Sequence, residues 1–184
     1  MNPHRIGDRL GTLLDASNHD LQRYFFMPVD PSKTIYYRRA RFTTRLPKSY
    51  RYALSHFWLE EIEPELFRVG ITHFATRMLG DFVECEFQKN AGDPIEPGMP
   101  LGWIEGVKAV SDLYSVIEGE FVEFNSLLAT NPTFMDRDPY DRGWLYMARG
   151  KPDARVVDCQ GYIAALDVAI DRILSQEQQE QKKC

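Results

Sequence analysis

The sequence predicts a mainly-β core, a small two-halved sandwich, set between helical ends. Three observations lead there. Strand-like runs punctuated by glycine and proline fill the span from about Tyr52 to Ala148, a short motif occurs twice inside that span, and helical periodicity appears after Lys151. Of the 184 residues 43% are hydrophobic, which suits one globular domain with appendages, whereas two full domains would be cramped. Residues 1–47 are assigned to an N-terminal extension, 48–150 to the core domain and 151–184 to a C-terminal helix and tail.

The extension begins with apolar residues at helical spacing, Ile6, Leu10, Leu13, Leu14 and Leu21, and is broken by Pro28 and Pro31. Seven basic residues and no acidic one then lie between Lys33 and Arg51, interleaved with Tyr36, Tyr37, Phe42 and Tyr50. Stacking of single-stranded nucleic acid on such aromatics is disfavoured, because the chain carries a net charge of −5 and the aromatics lack a module spacing. The run reads instead as a basic extended arm lying over the domain, neutralised by Glu60, Glu61, Glu63 and Glu65.

Within the core, Gly70, Gly80, Gly92, Gly98 and Gly119, with Pro94, Pro97 and Pro100, mark the turns. The exception is a short helix from Thr72 to Leu79, which Thr72 caps and which places Phe74, Ala75, Met78 and Leu79 on one face. Gly80-Asp81-Phe82-Val83-Glu84 recurs 39 residues later as Gly119-Glu120-Phe121-Val122-Glu123. Two similar half-sheets related by a pseudo-twofold axis would produce such a repeat. After the core, Tyr162, Ile163, Leu166, Ala169, Ile170, Ile173 and Leu174 form a helical stripe that packs on the sandwich. From Ser175 the apolar face ends, and the tail is expected to fray.

Several function classes drop out. Cys85, Cys159 and Cys184 form neither a disulfide framework nor a paired ligand motif, which fits a reducing compartment. No apolar stretch has the length of a membrane span, and the acids Asp8, Asp15, Asp20 and Asp30 disfavour a signal or transit segment. A bacterial cytoplasm is the expected location, with an organellar matrix the weaker reading. His4, His19, His56 and His73 have no partners at metal-ligand spacing, so no metal is expected, and no phosphate loop or nucleophile elbow occurs. No chemistry by side chains alone is expected.

What remains is Lys108. It stands in Gly106-Val107-Lys108-Ala109-Val110, between the strand-like runs Met99–Glu105 and Leu113–Ile117. A hairpin joins them, and a lysine at its tip projects into solvent where an enzyme can acylate it.

The residues on both sides of Lys108 resemble the H protein of the glycine cleavage system, a member of the lipoyl-carrier fold. The resemblance runs from about Tyr50 to Arg149 through Arg51–Trp58, Val69–Thr72, Leu79–Val83, Glu105–Asp112, Gly119–Val122 and Asp138–Leu145. It implies a non-catalytic carrier, a lipoyl/biotinyl-carrier-type β-sandwich with covalently attached lipoate on Lys108. It also implies that Glu105 and Gly119, three before and eleven after the lysine, help the lipoylating enzymes recognise the hairpin. The implied partners are those enzymes together with glycine decarboxylase, a folate-dependent aminomethyltransferase and dihydrolipoyl dehydrogenase, with no nucleic acid and no membrane.

Two positions depart from the family pattern. Phe57 stands where the family usually has glutamate and Phe74 where it usually has histidine, both in the cleft that shelters the aminomethylated arm. A protonated amine loses on desolvation against aromatic rings unless a cation–π geometry compensates. An H-like lipoate-binding carrier of another pathway, such as bacterial sulfur oxidation, is therefore the alternative, and an unmodified adaptor is a third. Gly106 replaces the family's usual serine and is expected to loosen the turn.

Overall fold

The computed structural model describes residues 29–181. The helix expected around Ile6 to Leu21, His4, His19 and Cys184 lie outside the described residues. After a short 3-10 turn at Pro31–Lys33, strands β1 (Thr34–Arg39) and β2 (Phe42–Pro47) pair as an antiparallel hairpin. The basic run is thus a hairpin and not an extended arm. Its alternation explains the difference: Tyr37, Phe42, Thr44 and Leu46 turn inward and are buried, so the intervening arginines are left outside.

The chain continues through β3 (Arg51–Tyr52), β4 (Phe57–Glu63), β5 (Leu66–Ile71) and helix α1 (His73–Leu79). Next come β6 (Phe82–Phe87), β7 (Pro94–Ile95), β8 (Pro100–Gly106), β9 (Ala109–Tyr114) and β10 (Ile117–Phe124). Two single-turn helices, α2 (Leu127–Thr130) and α3 (Phe134–Arg137), precede β11 (Tyr146–Pro152) and the long α4 (Cys159–Gln181). The short helices were not foreseen, since four residues are too few to show a period.

Six strands in the order β3-β4-β5-β11-β10-β7 form one sheet and β6-β8-β9 another, with antiparallel pairing throughout. The repeated motif falls on β6 and β10, one in each sheet. Those strands meet through Phe87, whose ring centre lies 5.7 Å from Phe121 and 5.9 Å from Phe124.

Strand alternation divides the apolar residues between two cores. From β4, Phe57 and Leu59 enter the layer between the sheets with Val69, Leu101, Ile104 and Leu113, while Trp58 points the other way. On that second face Trp58 and Tyr52 meet Tyr37, Phe42 and Leu46 of the hairpin and Tyr162, Leu166 and Ile170 of α4. Trp58 needs Gly70 beneath it, because a Cβ there would sit 2.5 Å from the indole ring. Its Nε1–H is shared between the carbonyls of Pro139 at 2.9 Å and Ile71 at 3.1 Å.

Two of the hairpin's basic groups find their acids on α4, where the sequence pointed to Glu60–Glu65. Arg39 holds Asp171 through both carboxylate oxygens, at 2.7 and 2.6 Å, and Asp167 at 2.9 Å; Arg41 grips Glu177. Glu60 is instead engaged by Arg68 from the neighbouring strand. The same contacts correct the expected fraying: α4 is helical to Gln181, and Glu177 in its last turns is paired. Fully burying a side chain such as Leu166 or Ile170 favours the folded state by about 1.5–3 kcal/mol. Exposed ion pairs contribute less, so apolar burial holds this layer and the arginines fix its register. Among the described residues no helix is long and apolar enough to cross a membrane.

Candidate functional site

Lys108 lies, as expected, on a two-residue turn: Gly106 pairs with Ala109, leaving Val107 and Lys108 exposed between β8 and β9. Tight hairpin turns usually need positive φ, which suits glycine and asparagine. Among the described residues the non-glycines at positive φ are Ala40, His56 and Glu65, so this turn is built otherwise. The Val107 amide donates to the Asp81 carbonyl at 2.9 Å and the Lys108 amide to the Leu79 carbonyl at 3.0 Å. These bonds across to the end of α1 replace what the turn lacks. The side chain of Lys108 is open to solvent, as expected, while its backbone is anchored.

Gly106 is part of that anchorage. A Cβ at this position would lie 2.5 Å from the Leu79 carbonyl oxygen and 2.6 Å from Leu79 Cγ. The glycine therefore lets the hairpin press against α1, the opposite of the looser turn expected. Gly80, at φ 83°, ends α1 and runs beside the Lys108 stem, whose Cγ would be 2.9 Å from an added Cβ. Thr72 precedes α1 without a side-chain cap bond, since its hydroxyl lies 2.8 Å from that of Tyr162. The expected apolar face is also corrected: Phe74, Thr76 and Leu79 are buried, whereas Met78 is 45% exposed.

Glu105 shares the hairpin with Lys108. Register places Glu84, Glu105 and Val110 across from one another, and Glu86, Trp103 and Asp112 likewise, so these residues share the outer face of the three-stranded sheet. Four acids thus flank the lysine turn on one face. Gly119 lies in the other sheet, opposite Gly150. A Cβ on Gly119 would fall 2.0 Å from the Arg149 carbonyl oxygen, which gives this glycine a packing role whatever else it does.

Behind the turn a groove of about 900 Å³ opens between the start of β4, α1, β9 and α4. Phe57 and Phe74 both line it, 5% and 6% exposed, so the structure brings together the two positions singled out in the sequence. Phe74 is held between the rings of His56 at 4.8 Å and Phe42 at 5.6 Å. His56 sits at φ 68°, a left-handed conformation unfavourable for a residue with a Cβ. Its Nδ1 lies 2.9 Å from the Tyr162 hydroxyl, and burial holds its pKa below the usual imidazole range. The sequence showed His56 only as a histidine beside apolar residues; its tie to Tyr162, 106 positions away, left no local signal. Val168, Ala169 and Arg172 of α4 close the far wall.

Among the described residues no group of three His, Cys, Asp or Glu side chains is placed to hold a metal. Cys159 is buried, and burial together with Glu84 pushes the half-buried Cys85 thiol up to about 11, leaving little thiolate at neutral pH.

Comparison with known proteins bears on the whole arrangement. The family described as "Glycine cleavage H-protein" matches residues 50–159, which include the turn, most of the groove and both sheets. The glycine cleavage system H protein of Corynebacterium jeikeium is 37% identical over 125 residues, covering 66% of this chain and 98% of the relative. That of Bacillus pumilus is 43% identical over 99 residues, 54% of this chain and 76% of the relative. A crystal structure of a glycine cleavage system H protein from Mycobacterium marinum superimposes with a TM-score of 0.58 at 30% identity, over 65% of this chain and 97% of the other. These relatives favour glycine cleavage over a sulfur-oxidation carrier or an unmodified adaptor. Strands β1 and β2 lie before the matched residues.

Proposed function

The chain belongs to the glycine cleavage H-protein family, and we propose that it serves that system as its lipoyl carrier, with lipoate covalently attached to Lys108. One observation supports this above the others: within the matched residues an exposed lysine stands on a turn whose backbone is tied to α1 at two points. An acylating enzyme meets a fixed Cα and a mobile side chain, which is the pre-organisation a modification site needs. When bound, a lipoyl group supplies the redox-active and group-carrying dithiolane, as cofactors generally supply the hard chemistry. The chain's own residues fit its aliphatic part, since the apolar groove begins at Ala109, next to the attachment point.

In this reading residues 48–150 form the carrier domain and the protein has no turnover of its own. Its partners are the lipoylation enzymes, glycine decarboxylase, aminomethyltransferase and dihydrolipoyl dehydrogenase, met in turn in a bacterial cytoplasm. Glu105, on the exposed acidic face, contributes to recognition by the lipoylation enzymes, and Gly119 contributes through the fit of β10 on β11. Visits to several partners must be short, and acids beside the turn suit charge-steered encounters whose rates fall with salt.

The test is intact-mass analysis of the full chain produced with lipoylation enzymes. One lipoyl group should appear, map to Lys108, and vanish in Lys108→Arg. An unmodified wild-type chain, or a lipoyl group retained in the variant, would refute the assignment. Glycine and the decarboxylase should then load the modified chain.

A further inference from the structure

A smaller cavity, of about 290 Å³, opens between the β1–β2 hairpin, α3 and the start of α1, whereas Lys108 is anchored at the end of α1. We propose that this cleft binds the phosphate group of a small phosphorylated molecule, held between Arg45 of β2 and Arg137 of α3. It is separate from the lipoyl site and does not depend on that assignment: His73 and Phe74 are chain neighbours, yet His73 lines the cleft and Phe74 the groove beside Lys108. Tyr36, Thr43 and Arg45, on its hairpin wall, also lie before the residues that the family matches.

The charges in the cleft call for an anion. Arg39, Arg41, Arg68, Arg142 and Arg155 each face a carboxylate. Arg45 and Arg137 both line the cleft, and among the described residues neither has an ion pair or a hydrogen bond. Two cations facing one space raise each other's energy, and an anion placed between them removes that cost. Arg45 is also held in place, because its guanidinium lies over the ring of its cross-strand partner Tyr36, 5.5 Å from the centre. A stacked guanidinium keeps its N–H edge for an oxygen. The acid in the wall, Asp136, lies against the Phe82 amide and beside His73, and the two arginines outnumber it.

Neutral donors complete the wall. Thr43 presents a hydroxyl and His73 an imidazole, neither of them hydrogen-bonded among the described residues. Burial, aided by Arg77, keeps His73 below the usual imidazole range, so at neutral pH the ring offers one N–H. Donors from β2, α1 and α3 therefore surround one space. That arrangement suits a tetrahedral group with oxygens in several directions; a flat carboxylate has its lone pairs in one plane and is met by a single arginine fork. Behind the cleft the Tyr140 hydroxyl lies 3.3 Å from that of Thr44 and accepts from the His73 amide at 3.2 Å, which ties hairpin to α1 before any ligand arrives. Tyr36 and Pro139 add apolar surface for a small organic body.

The experiment titrates the full chain with glycerol 3-phosphate, and separately with glycerate and glycerol, at constant ionic strength, following the imidazole resonances of His73 by NMR. Glycerol 3-phosphate should shift them saturably with a Kd of about 1 mM or tighter, glycerate at least about tenfold more weakly, and glycerol not at all. Arg45→Gln and Arg137→Gln, both at exposed positions, should each weaken binding of the phosphate ester about tenfold, as expected for loss of one charge-assisted bond. Arg51→Gln, at an exposed position of β3 outside the cleft, should leave it unchanged. Glycerate bound as tightly as the ester, an ester that does not saturate, undiminished binding in both cleft variants, or an equal loss in Arg51→Gln overturns the proposal. The comparison of the three ligands on the wild-type chain needs no variant to fold.

Discussion

Replacing Gly106 by alanine tests whether the lysine turn is held against α1. The new Cβ would meet the Leu79 carbonyl oxygen at 2.5 Å and Leu79 Cγ at 2.6 Å, distances that force a shift. Two responses are open. The hairpin stays and the contact is strained, which costs about 1–3 kcal/mol for overpacking. Or the tip lifts and loses the bonds from Val107 to Asp81 and from Lys108 to Leu79, at about 1 kcal/mol each. The protein takes the cheaper course, about 2 kcal/mol, and the stiffer unfolded chain returns about 0.4–1 kcal/mol. Denaturant unfolding should therefore show a net loss of roughly 1–1.5 kcal/mol. Hydrogen exchange separates the two responses, because lifting exposes the Val107 and Lys108 amides while strain leaves them protected. A variant more stable than the wild type, with both amides still protected, would show that the close approach of Gly106 to Leu79 is not real and that the turn is not built as argued.

Gly119→Ala drives a Cβ to 2.0 Å from the Arg149 carbonyl, a backbone atom that cannot rotate away, so a loss of about 2–4 kcal/mol is expected in denaturant unfolding. If the folded fraction is lipoylated at the wild-type rate, the glycine serves packing alone and its recognition role falls. Arg39→Gln should lower Tm at low ionic strength by loosening the hairpin from α4, and the difference should fade near 1 M salt, where exposed pairs are screened. A deficit that persists there would mean that Arg39 acts through packing. His56 and His73 both have folded pKa values depressed chiefly by burial, so the unfolded chain binds more protons than the folded one near the ordinary imidazole pKa. Their contribution is complete above that value, about 6.5, and is lost as pH falls through it toward the lower folded values. Unfolding free energy measured from about pH 7.5 to about pH 5.5 should decline, and His56→Asn, which tolerates the left-handed backbone, should flatten part of the decline. An unchanged slope would place the proton uptake elsewhere.

The parts of this protein that were legible in the sequence are those written locally. Lys108 between two strand-forming runs, the short helix after Thr72 and the stripe from Tyr162 to Leu174 each announce themselves through a period or a turn. The errors share a different cause. The sequence pairs Arg39 and Arg41 with acids 19 to 26 residues away, whereas their partners lie more than 125 positions distant on α4. Gly106 was read by its own flexibility, when what decides its role is the Leu79 carbonyl brought in from another element. Likewise nothing near His56 reveals that it faces Tyr162, because α4 supplies that hydroxyl and Trp58, Tyr52 and the hairpin set where α4 lies. Periodicity shows which face of an element is buried; it is silent on which other element covers that face.

The end of α1 joins the two halves of the site. Leu79 lines the groove with its side chain and accepts the Lys108 amide with its carbonyl, and Gly80 lies along the lysine stem. Whatever fills the groove therefore presses on the residue that positions the attachment point. Since Phe74, one turn earlier in the same helix, is wedged between His56 and Phe42, α1 has little freedom to shift sideways. The Cα of Lys108 is consequently fixed by the same packing that shapes the groove, and the freedom a carrier needs is confined to the bonds beyond it. Loosening α1 should then harm both functions together, whereas a change at the Lys108 side chain should harm attachment alone.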